Sequence, residues 1–337
     1  PPGLEERIDR LVSTRMSEQR IPGMTVAVGI GDRPIWSRGY GFADLENFVP
    51  ATERSRYRLA SISKPITAVA LLELVEAGKA GLDDDVRRYV PEFTEKQWPV
   101  TLRQLLSHLG GVRGYNGTES VTTVHYANVR DGLAIFDADP LAHQPGSKYL
   151  YSSYGFNLAG AAAEVIAGKP FRQLLKDSVF TPAGMSSTRD DDSFVIIPNR
   201  VRGYRKTDAG EVLNCELADT SSKVPGGGLI STAADVARFG RAVMDGALLR
   251  PETRTLMWTP QHTNDGKSVG YGLGWGVAAF HGQPRYSHAG GQSGTSTYLD
   301  VLPESRIVVS VLCNLQGAPA KEISERILQL LDEAKLD

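Results

Sequence analysis

Cysteine is scarce in this sequence, with only Cys215 and Cys313 in a chain of 337 residues. Two cysteines make no disulfide framework. Cys313 lies in the apolar run IVVSVLCN, where we expect a small buried core residue. The cysteines therefore leave the cellular compartment open.

An excess of either charge is also missing, because 37 Lys and Arg residues balance 39 Asp and Glu residues to a net charge of −2. The charges are interspersed rather than gathered in blocks, so nucleic acid is not an expected partner. No apolar run approaches the roughly 18 residues of a membrane span. With 41% hydrophobic residues, the composition is that of an ordinary soluble globular protein.

Three common catalytic motifs are absent. The six histidines are scattered, without His-x-His or His-Glu-x-x-His, so we expect no metal site. No Gly-x-Ser-x-Gly elbow of an α/β-hydrolase occurs. The glycine run 226–228 lacks the Lys-Ser/Thr of a phosphate loop and instead suggests a close approach of two backbones. We expect no cofactor.

Apolar periodicity divides the chain into three parts. A helix is predicted at 4–20, followed by a hairpin of two strands at 24–30 and 34–44. From about 61 to 180 the pattern is mostly helical, with Pro and Gly breaks. The last third is rich in strands and ends in an amphipathic helix at about 319–335.

This order predicts an α/β (α+β) fold in which the two chain ends share one sheet. We assign residues 1–60 and 215–337 to an α/β lobe and residues 61–214 to a mainly helical lobe inserted into it. The active site is expected in the cleft between the lobes, a favoured place for a ligand.

The stretch RLASISKPIT (58–67) places Ser61 three residues before Lys64, in the only Ser-x-x-Lys of the chain. The apolar residues that follow recur at helical spacing, so a helix is predicted to begin near Ser61, with Lys64 on the same face. Pro65 fits only near a helix start. The pattern alone is weak, since such a serine is usually a cap and such a lysine is usually solvated.

Two further motifs follow in order. Tyr151-Ser-Ser153 precedes a predicted helix, and His288-Ala-Gly-Gly291 stands at the start of a predicted strand pair. With Ser61-x-x-Lys64, they resemble the Ser-x-x-Lys, Tyr-x-Asn and Lys/His/Trp-x-Gly signatures of the serine β-lactamase/penicillin-binding protein family. The closest branch includes class C β-lactamases, D-alanyl-D-alanine carboxypeptidases, D-aminopeptidases and family VIII carboxylesterases. Supporting segments extend the resemblance over essentially the whole chain.

The resemblance implies a β-lactamase/transpeptidase-like fold, an antiparallel sheet flanked by helices. It implies that Ser61 is the nucleophile, Lys64 its base and Tyr151 a second proton carrier. Burial at a helix N-terminus would favour the neutral lysine that a base requires. The backbone N–H groups of Ser61 and Gly291 would surround the oxyanion.

Substrate contacts are implied for three further residues. His288 would flank the substrate opposite Lys64, and Gly290 would let the substrate backbone approach the strand. Ser153 stands at the family's asparagine position, and His288 stands where most β-lactamases have lysine. Both departures weaken the holds on a β-lactam, because serine is shorter and neutral imidazole attracts a carboxylate less than ammonium does.

We therefore expect a serine acyl hydrolase for small carboxylic esters or amides. The alternatives are a β-lactamase, a D-alanyl-D-alanine carboxypeptidase or D-aminopeptidase, and, outside enzymes, a slowly deacylating penicillin-binding sensor or assembly protein. The sequence does not indicate the oligomeric state. Because the chain begins at Pro1 without a methionine, we expect upstream residues and favour a periplasmic or secreted location over a cytoplasmic one.

Overall fold

The structure, a computed structural model, describes residues 3–334. The helices are α1 Leu4–Gln19, α2 Ser63–Glu76, α3 Leu102–Leu106, α4 Ser153–Ala167, α5 Phe171–Leu175, α6 Val224–Gly227, α7 Ala233–Met244, α8 Pro251–Trp258 and α9 Ala320–Glu333. The strands are β1 Gly23–Ile30, β2 Trp36–Asp44, β3 Val49–Pro50, β4 Tyr57–Arg58, β5 Arg189–Asp190, β6 Tyr204–Lys206, β7 Val212–Asn214, β8 Leu229–Ser231, β9 Gly276–Phe280, β10 Gln283–Gln292, β11 Thr295–Leu302 and β12 Ile307–Cys313.

One seven-stranded antiparallel sheet is built from both ends of the chain, in the order β3-β2-β1-β12-β11-β10-β9. Strand β1 lies beside β12, with Met24 opposite Cys313 and Ile30 opposite Ile307. Both strands are rich in the β-branched residues that suit a sheet buried on two faces. The predicted hairpin is confirmed as β1 and β2, and the predicted antiparallel sheet flanked by helices is confirmed.

Helices cover both faces of this sheet, as the alternation along β12 requires. Val309, Val311 and Cys313 pack in one hydrophobic cluster with α1 and α9. Val308 and Leu312 point the other way, into a second cluster with α2, α4 and α7. Cys313 is fully buried, as predicted. The expected end of the last helix, at 335, lies outside the described residues.

Residues 107–152 contain less helix than the apolar pattern of residues 61–180 predicted. From 107 to 152 the structure contains only short 3₁₀ turns, at Glu119–Val121 and Asp131–Ile135. Glycines and prolines recur through this stretch, and both disfavour helix interiors. The lobe boundaries at 60/61 and 214/215 stay a prediction. Across residues 3–334, no helix has both the length and the apolar character needed to cross a bilayer.

A buried ion pair joins β10, β11 and α9, and it generates a stability prediction. The Arg285 Nε atom lies 2.6 Å from Asp300 Oδ1, and the Ser324 hydroxyl donates to Asp300 Oδ2 at 2.6 Å. Removing Asp300 leaves the buried Arg285 with only the partly exposed Glu325 carboxylate, 2.8 Å from Nη1, and such a loss from a buried pair is costly. Asp300→Ala should therefore lower the free energy of unfolding, measured by urea denaturation, by about 3–5 kcal/mol.

The exposed pair between Asp32 and Arg306 supplies the control. Its Oδ1–Nη2 distance is 2.7 Å, but the Asp32 side chain is 86% exposed. Asp32→Ala should therefore cost less than about 1 kcal/mol. Equal losses of unfolding free energy in the two variants would contradict the prediction that the buried pair stabilises the fold more than the exposed pair does.

Candidate active site

Ser61 lies in a 3₁₀ turn, Ala60–Ile62, that runs directly into α2. The prediction that a helix begins near Ser61 is confirmed. Ala60 has a φ of 49°, a left-handed backbone conformation that residues other than glycine seldom adopt. Two threonines of β11 hold the residues just before this turn. Thr295 donates to the Arg58 carbonyl at 2.9 Å, and Thr297 donates to the Leu59 carbonyl at 2.8 Å.

Lys64 is fully buried in the first turn of α2. Its Nζ atom contacts three oxygens: Ser61 Oγ at 2.9 Å, Ser153 Oγ at 2.9 Å and the Gly226 carbonyl at 2.6 Å. Burial lowers the pKa of Lys64 well below its usual value, and the positive charge of Lys223 lowers it further. Lys64 is thus favoured as a neutral amine.

A neutral amine has two N–H bonds and one lone pair, so its three contacts cannot be equivalent. The Gly226 carbonyl can only accept, so it takes one N–H. The Ser153 hydroxyl oxygen, 2.9 Å from the amine, can take the other. The lone pair then faces the Ser61 hydroxyl, 2.9 Å away.

The Gly226 carbonyl is held in place from two helices. Asn157 on α4 accepts from the Gly226 N–H at 3.1 Å and donates to the Ser222 carbonyl at 3.1 Å. Thr67 on α2 donates to the Pro225 carbonyl at 2.8 Å. A Cβ on Gly226 would lie 2.7 Å from the Ser153 carbonyl oxygen and 2.9 Å from Asn157 Oδ1. The glycine run therefore provides the close backbone approach that was predicted for it.

Tyr151 places its ring beside the amine. The Lys64 Nζ atom lies 4.7 Å from the centroid of the Tyr151 ring. Tyr151 as a whole is 40% exposed to solvent. Burial of its hydroxyl raises the pKa of Tyr151, although the nearby Ser61 hydroxyl opposes the shift. The phenol is therefore protonated at neutral pH.

The buried His108 packs against Tyr151 and accepts a hydrogen bond from the next residue, Ser152. The His108 ring lies 4.2 Å from the Tyr151 ring, and its Nδ1 atom accepts from the Ser152 N–H at 3.0 Å. The hydrogen of this neutral imidazole is therefore on Nε2. The Ser152 side chain in turn caps α4 by accepting from the Gly155 N–H, so Ser153 is the first residue of the helix.

His288 lies inside β10 rather than at the start of a strand pair, because β10 already begins at Gln283. Its Nδ1 atom is 2.7 Å from the Ala289 carbonyl, which can only accept, so Nδ1 carries the hydrogen. Its Nε2 atom then accepts from the Tyr271 hydroxyl at 2.7 Å. Burial lowers the pKa of His288 to about 3. The imidazole is thus uncharged at neutral pH.

The two glycines after His288 differ in their surroundings. A Cβ on Gly290 would lie 2.1 Å from Thr297 Oγ1 and 2.3 Å from the Leu59 carbonyl, so the strand packs directly against the residues that precede Ser61. This contact accounts for the glycine without any substrate. A Cβ on Gly291 would meet nothing within 4 Å, and this residue is exposed.

The structure thus brings Ser61, Lys64 and Ser153 into direct contact and places Tyr151 against the same amine. His288 lies farther away, with its ring centroid 6.3 Å from that of Tyr151. Sequence reasoning missed several buried polar residues around them. The missed residues are His108, Asn157, Lys223 and the partly buried Tyr115. Only His108 and Asn157 carried a signal, as polar residues within the apolar segments LRQLLSHL and YGFNLAG.

No group of three or more His, Cys, Asp or Glu side chains within residues 3–334 is arranged to hold a metal ion. The arrangement around Ser61 is one of hydroxyls, one amine and backbone carbonyls. Such a set can move protons between oxygen and nitrogen, which is the chemistry of an activated serine.

Comparison with known proteins identifies related chains over almost the entire length. The model of the Beta-lactamase family matches residues 8–333. The human mitochondrial serine beta-lactamase-like protein LACTB is 30% identical, with 94% of this chain and 77% of that protein covered. The putative penicillin-binding protein PbpX of Bacillus subtilis is 28% identical, with coverages of 96% and 78%.

Solved structures agree on the fold. A penicillin-binding protein from Bacillus halodurans matches with a TM-score of 0.81 at 26% identity, covering 95% of this chain and 98% of that one. The D-amino acid amidase of Ochrobactrum anthropi SV3 matches with a TM-score of 0.85 at 23% identity, covering 98% and 99%. The second likeness, at that identity, concerns the fold alone.

The glycine run generates a prediction with a matched neighbour as its control. Gly226→Ala should lower the free energy of unfolding by about 1–3 kcal/mol, because the new methyl group overlaps backbone and amide oxygens. Gly227→Ala places its methyl group no closer than 3.8 Å to another atom, so its stability should be unchanged or slightly higher. Urea denaturation measures both, and a Gly227→Ala loss as large as that of Gly226→Ala would contradict the close approach.

Proposed function

The chain belongs to the beta-lactamase family, and on that premise we propose that it is a serine acyl hydrolase acting on small, uncharged carboxylic esters or amides. The observation that carries the proposal is the contact of the buried Lys64 amine with the Ser61 hydroxyl at 2.9 Å. A serine hydroxyl becomes a nucleophile only when a base removes its proton. A lysine whose pKa burial has lowered can be that base near neutral pH.

In the proposed reaction, the lone pair of Lys64 takes the Ser61 proton as Oγ bonds to the acyl carbon. The leaving alcohol or amine departs with a proton, and water then attacks the acyl group on Ser61 by the same route in reverse. The high pKa of Tyr151 supports a role as proton carrier rather than as phenolate base. Its ring beside Lys64 supports transfer between that amine and the leaving group.

The negative charge that develops on the acyl oxygen needs preorganised donors. We assign this role to the backbone N–H groups of Ser61 and Gly291. The exposure of Gly291 and the open space on its side-chain side support the assignment. The packing of Gly290 against the Leu59 carbonyl supports a fixed distance between the strand and the serine turn.

The preference for uncharged substrates rests on His288 and Ser153. With a pKa of about 3, the buried His288 imidazole supplies no positive charge for a substrate carboxylate. Ser153 is 8% exposed, and its hydroxyl already contacts Lys64. A hydrogen bond from Ser153 to the acylamino group of a β-lactam would compete with that contact. Short esters need neither interaction.

The first prediction concerns the nucleophile and its base. Ser61→Ala should lower kcat for p-nitrophenyl acetate by about three orders of magnitude or more, and Lys64→Arg should fail similarly because guanidinium does not lose its proton. Lys79→Arg, an exposed lysine beyond the other end of α2, should keep the activity of the unmodified protein. Intact-protein mass spectrometry should locate a transient acyl group on Ser61. An adduct on Ser63 or Ser293 would refute the assignment.

The second prediction concerns substrate class. Each lost charge-assisted hydrogen bond costs about 1.5–3 kcal/mol, roughly tenfold to 150-fold in rate. We therefore expect kcat/KM for p-nitrophenyl acetate and butyrate to exceed that for nitrocefin, with D-Ala-D-Ala peptides and penicillins poorer still. His288→Lys should raise nitrocefin turnover relative to ester turnover, whereas His281→Lys, at an exposed site, should leave the ratio unchanged.

The opposite ranking would replace this proposal by one of its alternatives. Faster hydrolysis of penicillins or cephalosporins than of esters indicates a β-lactamase, and preference for the peptide indicates a carboxypeptidase. A single burst of acylation without turnover on any substrate indicates a slowly deacylating sensor.

A further inference from the structure

A second buried lysine lies close to the candidate site. Lys223 is 3% exposed, and its Nζ atom donates to the Ser120 carbonyl at 2.7 Å. Among the residues that the structure describes, no carboxylate oxygen lies within 4.0 Å of this amine. Buried charges are normally paired, because desolvation of an ion is costly. An unpaired buried lysine therefore needs an explanation.

Two short connections run from Lys223 to the contacts of Lys64. Lys223 directly precedes α6, whose Gly226 carbonyl accepts from Lys64. Lys223 also lies over the ring of Tyr115, with Nζ 5.4 Å from the ring centroid, and Ser153 is among the groups that influence the pKa of Tyr115, after the larger effect of burial. Gly226 and Ser153 are the two acceptors that leave the Lys64 lone pair facing Ser61.

Lys223 lies close enough for its positive charge to lower the pKa of Lys64, although burial has the larger effect. Burial lowers the pKa of Lys223 to about 8, and the nearby Arg58 guanidinium contributes to the shift. At pH 7 most molecules therefore carry the Lys223 charge. Inside a protein, where charges are poorly screened, a fixed ammonium disfavours a second one nearby.

We propose that Lys223 is a positioning residue whose buried positive charge keeps Lys64 uncharged and hence able to act as a base. The inference rests on the proposed function of Lys64. It assigns the unpaired ammonium a purpose that packing alone does not supply, since a neutral side chain of similar length would fill the same space without the desolvation cost.

The other titratable groups around Lys64 cannot replace this charge. Burial lowers the pKa of both neighbouring histidines and raises the pKa of the neighbouring phenols, so each of them is neutral near pH 7. These groups are His108, His288, Tyr115, Tyr151 and Tyr271. Burial lowers the Lys64 pKa most, and Lys223 is the charged group that lowers it further.

The test is the pH profile of kcat/KM for p-nitrophenyl acetate between pH 5 and 9. In Lys223→Met the Lys64 pKa should rise, because a like charge has been removed, so the acid limb should move to higher pH. We expect activity about threefold to tenfold lower than that of the unmodified protein at pH 6, with the two curves converging near pH 9. Lys223→Arg keeps the charge and should retain the original profile.

Thermal denaturation separates this role from a structural one. Lys223→Met removes an unpaired buried ion, so its Tm should be equal to or higher than that of the unmodified protein, even as its acid limb moves. Lys223→Gln is a second neutral variant and should shift the profile in the same direction. A lower Tm with an unmoved acid limb, an equal shift in Lys223→Arg, or failure of both neutral variants to fold would overturn the inference.

Failure of the inference is distinguishable from failure of the proposed function. If Ser61→Ala still hydrolyses the ester, the proposed function is wrong. If hydrolysis requires Ser61 and Lys64 but Lys223→Met keeps the original profile, only the role of Lys223 is wrong.

Discussion

The burial of the Lys64 amine is the constraint on which the surrounding structure depends. A buried ammonium needs an anion, and among residues 3–334 no carboxylate lies within 4.0 Å of this one. The protein instead supplies three uncharged oxygens, from Ser61, Ser153 and Gly226. These suit a neutral amine, because two can accept its N–H bonds while the third donates to its lone pair. The absence of a side chain at Gly226 follows from this need.

Strands β10 and β11 of the central sheet fix the position of the turn that contains Ser61. Thr295 and Thr297 of β11 hold the carbonyl groups of residues 58 and 59, and Gly290 of β10 packs on the same segment. The serine turn is therefore attached to two strands that pair along most of their length. A strained residue such as Ala60, at φ 49°, is retained where its surroundings fix it so firmly.

Local signals predicted the parts of this structure that local interactions determine. The start of α2, the β1–β2 hairpin, the buried Cys313 and the close approach at the glycine run could all be read from spacing and residue type. The irregular stretch 107–152 was harder to predict from the sequence. Apolar segments such as LRQLLSHL suggested longer helices than the five-residue α3 that the structure contains. The neutral imidazole assumed for His288 agrees with its burial, which lowers its pKa, but the hydrogen bond that it accepts from Tyr271 could not be predicted from the sequence. The contacts of Lys64 join residues 89 and 162 positions apart, which no periodic pattern reports.

The positions of the charges connect the base to the choice of substrate. A lysine at position 288, as in most β-lactamases, would place a positive charge where it could both attract a substrate carboxylate and disfavour a charged Lys64. Here the residue is a neutral histidine that accepts from Tyr271. On our proposal, the second effect is supplied by Lys223, which is buried behind Tyr115 and directed at the Ser120 carbonyl. The base can then remain neutral without a cation facing the substrate. Under the proposed function, separating the two effects in this way is the reason to expect a preference for acyl groups that carry no carboxylate.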